Sequence, residues 1–306
     1  MATLTVLVVV VGLAAVGLAV RRVTSHTASG DGVALDASEF SPGACVAFAP
    51  TAGDRHTTVF LDAGHGGLDP GAVGTTSSGV TVDEGTVTLP VELDATAVLR
   101  ADGYRVVVSR TEDTDVVRLT PSDLSDGVLS LQGAHDDVAA RDVCADLAGA
   151  RVLVGIYFDS GSNPDDGGSV TTYDAARPFQ AANLGLATLL QRDVLAAMNA
   201  RGWQIPDDGV QPDSVEGSLV PTDSGGSIAR GAATYGHVLL LGPADPGYFS
   251  TPSTMPGALI EPLFVTDPFE GTLAAEPAAQ QVIARGIATA VEQFLAPSAS
   301  TPTTAG

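Results

Sequence analysis

Between residues 57 and 296, short apolar runs of strand length alternate with longer stretches whose apolar positions recur at helical spacing. The runs Thr58 to Ala63, Tyr104 to Ser109, Val152 to Phe158, Ser169 to Tyr173, His237 to Leu241 and Ala258 to Glu261 predict strands. The stretches Leu89 to Ala101, Leu131 to Ala148, Phe179 to Arg201 and Pro277 to Leu295 predict helices. The last of these follows Glu276, and proline suits a first helical position because it loses no needed hydrogen bond. Strand and helix in alternation predict an α/β fold: one domain, with a largely parallel central sheet flanked by helices. Ligand sites in such sheets gather at the carboxyl ends of the strands. Residues 204–253, rich in Gly, Pro, Asp and Ser, break the alternation and read as a long, loop-rich insertion.

The flanks have a different pattern. Residues 2–20 form an apolar run without a charge, long enough to span a bilayer, which takes roughly 20 helical residues, or to be the core of a signal peptide. Gly17 and Ala19 make a small-x-small cleavage pattern, while Arg21 and Arg22 just beyond them favour the cytoplasmic side. Residues 1–22 are thus expected to be a signal peptide or an N-terminal membrane anchor. Residues 23–56 read as a linker and 297–306 as a polar tail. The folded part is expected outside the cytoplasm, secreted or anchored to the outer face of the membrane. An oxidising compartment would let Cys45 and Cys144 form one disulfide; two unrelated buried thiols are the other reading.

Composition narrows the chemistry. The chain has 306 residues, 36 acidic against 14 basic, for a formal charge of −22, which argues against nucleic acid as a partner. All 14 basic residues are arginine. Without lysine there is no Schiff base to pyridoxal phosphate and no phosphate-binding P-loop lysine. The 44% apolar content is enough for a core and excludes a disordered acidic tail.

Of the five histidines, His65 has the most telling surroundings. The apolar run Val59 to Ala63 ends in Gly64-His65-Gly66-Gly67, where glycine on both sides lets the backbone turn and leaves the imidazole at the strand's carboxyl end. The segment Leu61 to Gly74, LDAGHGGLDPGAVG, resembles the strand-to-loop signature of the zinc-dependent N-acetylmuramoyl-L-alanine amidases (cell-wall amidases, amidase type 3). Further matches follow in order: Glu84 with Leu89 five residues on, Val106 to Asp113 with Arg110 inside it, Arg141 sixteen residues before position 157, and Ala258 to Phe264 around Glu261. The resemblance implies a zinc ion held by His65, Glu84 and a third ligand, with Glu261 passing a proton from the attacking water to the departing amide nitrogen. It also implies peptidoglycan or its muropeptides as partner, cleaved between N-acetylmuramic acid and L-alanine.

Two positions depart from the family pattern. Where the family carries its third ligand, a histidine, this chain reads Gly155-Ile156-Tyr157-Phe158-Asp159. Tyr157 could itself be the ligand, though a phenol would have to ionise before ligating well, or, being longer than histidine, it could instead fill the metal cavity. Asp159, two residues on and on the same face of a continuing strand, and His237, at the start of another predicted strand, are substitute candidates, with His135 behind them; the plain alternative for each is an ordinary polar residue. The second departure is Pro90, expected to delay or kink the helix after Glu84. Two functions stay open: an exported zinc amidase, and a catalytically inactive relative that binds peptidoglycan or regulates other proteins.

Overall fold

The computed structural model describes residues 31–36, 38–215, 236–245 and 249–297. Its centre is an eight-stranded sheet. In chain order the strands are β1 (Val33–Ala34), β2 (Ala44–Phe48), β3 (Thr58–Ala63), β6 (Arg105–Arg110), β9 (Leu153–Ile156), β10 (Ser169–Tyr173), β11 (Asp207–Pro212) and β12 (Gly257–Glu261). Across the sheet they run β1-β2-β6-β3-β9-β12-β10-β11. Strands β6, β3, β9 and β12 are mutually parallel. On one side β2 is antiparallel to β6; on the other β10 is antiparallel to β12 and parallel to β11. Two small hairpins, β4 (Val73–Thr75) with β5 (Thr81–Asp83) and β7 (Leu124–Ser125) with β8 (Val128–Leu129), lie outside the sheet.

The central strands are buried on both faces, which explains their unbroken apolar sequences; every residue of β9 is buried. One face carries α1 (Glu84–Ala101), α3 (Gln180–Asn199) and α5 (Pro277–Leu295), with Val59, Leu61, Val154 and Ile260 in its core. The other carries α2 (Leu131–Ala148), with Phe60, Leu153, Tyr157 and Leu259. A short helix, α4 (Pro268–Ala275), follows β12. Because β6 and β9 flank β3, successive strands are laid on opposite sides of it. The strand order reverses at β3, and in open α/β sheets the carboxyl ends at such a reversal are where a ligand crevice forms.

Several expectations need correcting. The run His237 to Leu241 is a tight turn, with the Leu241 and Gly242 amides both bonding the Val238 carbonyl. Val238 to Leu241 are all buried against the α2 side, and a run that is apolar throughout does not distinguish a buried turn from a buried strand. Helix α1 begins at Glu84 with Pro90 inside it, so proline does not delay its start. The first turn is fastened from outside: the Glu84 amide bonds the Ala72 carbonyl, the Gly85 amide the Pro70 carbonyl, and the Thr88 hydroxyl the Gly64 carbonyl. The sheet also draws β1 and β2 from residues 23–56 and β11 from residues 204–253.

Cys45 on β2 and Cys144 on α2 form the disulfide, with Cα atoms 5.6 Å apart. Residues 2–20 lie outside the described residues, and no helix among the described residues is long and apolar enough to cross a membrane.

Candidate active site

Strand β3 is followed by Gly64, where a Cβ would stand 2.2 Å from Cε1 of Tyr157, so only glycine fits. His65 turns the chain with φ at 58°, in the left-handed region. The turn is closed by reciprocal backbone bonds between Gly66 and Asp69. The imidazole is buried between two carboxylates, with Nε2 3.1 Å from Oε2 of Glu84 and Nδ1 2.9 Å from Oδ2 of Asp69. Burial alone would lower the His65 pKa, but the Glu84 charge and the Asp69 hydrogen bond and charge raise it to about 10. Asp69 is held down at about 2: its burial opposes this, and the His65 hydrogen bond and charge prevail.

Glu84 opens α1, where the helix dipole favours a carboxylate. Its Oε1 accepts the Phe158 amide at 2.9 Å and its Oε2 the Ala72 amide at 2.9 Å. One side chain therefore joins the segments that follow β3 and β9.

Beneath the turn lies a buried ionic layer. Arg141 on α2 donates from Nη1 to Asp62 Oδ1 and to the Ala63 carbonyl, both at 2.7 Å, and from Nη2 to the His65 carbonyl at 2.9 Å and to Asp137 Oδ2 at 2.8 Å. Asp137 Oδ1 accepts the Val116 and Val117 amides. Arg110, at the end of β6, reaches the Gly64 and Gly85 carbonyls and the Thr88 hydroxyl. Glu92 of α1 inserts where β3 and β6 part, its Oε1 taking the Ala63 and Ser109 amides and the Ser109 hydroxyl. Its burial, offset in part by Arg110, raises the carboxyl to about 8.

Tyr157 belongs to this layer. Its ring packs edge-on to His65, centroids 5.4 Å apart, and its hydroxyl donates to Asp62 Oδ2 at 2.9 Å. Burial, and then the Asp62 charge, push the phenol well above its ordinary value. Asp159 is placed by a backbone bridge to Phe264; burial and the neighbouring Glu84 charge raise its carboxyl to about 6. Glu261 ends β12. The Tyr157 amide bonds the Ile260 carbonyl, which sets Glu261 level with the residues that follow β9.

The other substitute ligands lie elsewhere. His237 directs Nε2 to Asp245 Oδ2 at 2.8 Å, in the turn on the α2 side. His135, on α2, packs edge-on to Phe249. Sequence reading missed Asp137 and Glu92. For Glu92 a signal existed: Thr88, Glu92 and Thr96 are polar at four-residue spacing, and all three are buried.

The donor set fits zinc only in part. Two donors of one tetrahedral zinc, each about 2.0 Å from it, stand about 3.3 Å apart, and His65 and Glu84 meet at 3.1 Å. Asp69 on the far ring nitrogen is the usual outer partner of a zinc-bound histidine. The third position does not fit, because the Tyr157 hydroxyl is committed to Asp62. Among the described residues, no group of three His, Cys, Asp or Glu side chains is arranged to hold a metal. The residues present thus do not fit the three-ligand ion that the resemblance implies.

A parallel core, a glycine-flanked histidine after the strand where the order reverses, and a glutamate opening the next helix define an amidase-type α/β domain. The sequence profile of the N-acetylmuramoyl-L-alanine amidases matches residues 59–293, and the chain belongs to this family. It is 28% identical over 253 residues to N-acetylmuramoyl-L-alanine amidase AmiA of Salmonella typhimurium, covering 77% of this chain and 75% of that protein. Its fold resembles that of the CwlD amidase of Clostridioides difficile, solved with the GerS lipoprotein, with TM-score 0.56 and 19% identity over 78% of this chain and 98% of that one. It likewise resembles the catalytic domain of the amidase CwlV of Bacillus (Paenibacillus) polymyxa, with TM-score 0.51 and 21% identity over 78% and 98% of the two chains.

Proposed function

We propose that this chain works on peptidoglycan outside the cytoplasm, taking the junction between N-acetylmuramic acid and L-alanine into the crevice at the carboxyl ends of β3, β9 and β12. Residues 1–22 serve as its export signal or anchor, and residues 57–296 as its amidase-like domain. The observation that carries this reading is the His65 and Glu84 pair at that crevice, with Asp69 and Glu261 in the family's order. The Cys45 to Cys144 disulfide supports an oxidising location.

The geometry favours recognition of the junction without zinc-assisted cleavage. Such cleavage would need a metal at the crevice with an open position for water, and Tyr157, at the position where the resemblance puts the third ligand, has its hydroxyl bonded to Asp62. Glu261, a candidate proton carrier at the end of β12, is the group proposed to meet an amide ligand. A second reading, retained hydrolysis with Asp159 as substitute ligand, is favoured by one observation: Asp159 lies near enough to Glu84 for that charge to raise its carboxyl.

Purified protein incubated with defined muropeptides separates the two. The expected outcome is saturable binding, measured calorimetrically, with no peptide released in the presence of zinc. Peptide release that Glu261→Gln abolishes would establish the hydrolytic reading instead. Absence of binding to muropeptides and to intact sacculi would overturn the proposal.

A further inference from the structure

We infer that Tyr157 is a fixed plug that closes the third ligand position, so that the native chain excludes zinc from the His65 and Glu84 pair. The inference deepens the peptidoglycan reading and rests on it for its biological sense, though its test does not. Three observations converge. First, the ring occupies the space over Gly64 and lies edge-on to His65, so it fills room that a smaller ligand side chain would leave open. Second, its hydroxyl is anchored rather than free. It donates to Asp62 Oδ2, Asp62 Oδ1 accepts from Arg141, and Arg141 also donates to Asp137 Oδ2, while Asp137 Oδ1 accepts two backbone amides. All four side chains are buried. Swinging the phenol toward a metal would take from Asp62 one of its donors in a place water does not reach, and buried carboxylates resist losing a donor. Third, the two remaining ligand candidates are already satisfied by protein. Glu84 has both oxygens bonded to backbone amides and touches Nε2 of His65, whose other nitrogen meets Asp69. A metal entering here would have to replace the His65 and Glu84 hydrogen bond, with little change in their spacing, and would gain only two protein ligands.

The site has thus exchanged an ion for a side chain, and the crevice keeps its walls while its centre is set by hydrogen bonds. The test is zinc content after equilibration of the full chain with zinc and gel filtration, read by elemental analysis, with circular dichroism to confirm folding. Wild type and Tyr157→Phe are expected to retain no stoichiometric zinc, and Tyr157→His to gain one equivalent. Stoichiometric zinc in the wild type overturns the inference, whether Tyr157→Phe removes it, making the phenolate a ligand, or Asp159→Ala removes it, making the aspartate one. A folded Tyr157→His protein that takes up no zinc overturns it too, since something other than the plug would then exclude the ion. Muropeptide binding is measured separately on the same samples. Its absence, with the zinc results as expected, would sink the peptidoglycan reading and leave the plug standing.

Discussion

Single buried side chains set the character of the crevice, and Glu92 illustrates how. It is fully buried, bonds three donors through Oε1, and has no hydrogen-bond partner at Oε2. Its carboxyl is raised to about 8, so the fold favours the neutral acid. The stabilisation from that proton is complete below the unfolded value, near 4.3, and is lost as pH rises through about 8. We expect Glu92→Gln, which keeps an acceptor for Ala63 and Ser109 without a charge to bury, to flatten thermal stability between pH 5 and pH 9. Melting curves across that range are the check; a variant that melts with the wild-type pH slope would show that Glu92 does not govern it. His65 was legible in the sequence because two glycines and an apolar strand announce it. Asp137 was not, because a lone aspartate on a helix looks the same whether it faces solvent or, as here, two backbone amides and an arginine.

At the scale of elements, the parallel core was readable because strands buried on both faces leave unbroken apolar runs. Strands β3 and β10 have the bounds their sequence predicts, and α2 and α5 do as well. The elements that escaped notice lack that signature. Strand β11 reads Asp-Asp-Gly-Val-Gln-Pro and lies at the sheet edge, where polar residues and proline are tolerated. Strand β2 is buried but sits in a stretch rich in small residues. The sequence equally could not tell that α1 starts ahead of Pro90, since its first turn is held by bonds to the loop after β3. Strand β2 and helix α2 are joined covalently across 99 residues of chain. Replacing Cys45 and Cys144 with alanine is expected to lower unfolding free energy by on the order of 2–5 kcal/mol, measured by urea denaturation. Unchanged stability would mean that packing alone holds α2 against the sheet. The consequence would reach the crevice, because Arg141 lies one turn from Cys144 on the same helix and braces the backbone of Ala63 and His65.

For the whole molecule, a formal charge of −22 acts at longer range than any contact. Muropeptides with free carboxylates are themselves anionic, so encounter is opposed by net charge, and salt screens that opposition over a Debye length of about 8–10 Å. Association with anionic muropeptides is therefore expected to speed up as ionic strength rises, with stopped-flow fluorescence as the measurement; slowing would reveal a local cationic patch that outweighs the net charge. The disulfide has a further meaning at this scale. Cys45 and Cys144 are the chain's only cysteines, so oxidation has a single intramolecular outcome. An exported chain with more cysteines must search among alternative pairings and relies on isomerases to correct its mistakes. Exported as proposed above, this chain would need only an oxidant, and only once Cys144 had crossed the membrane, by which point β3, α1 and β6 would already have been delivered.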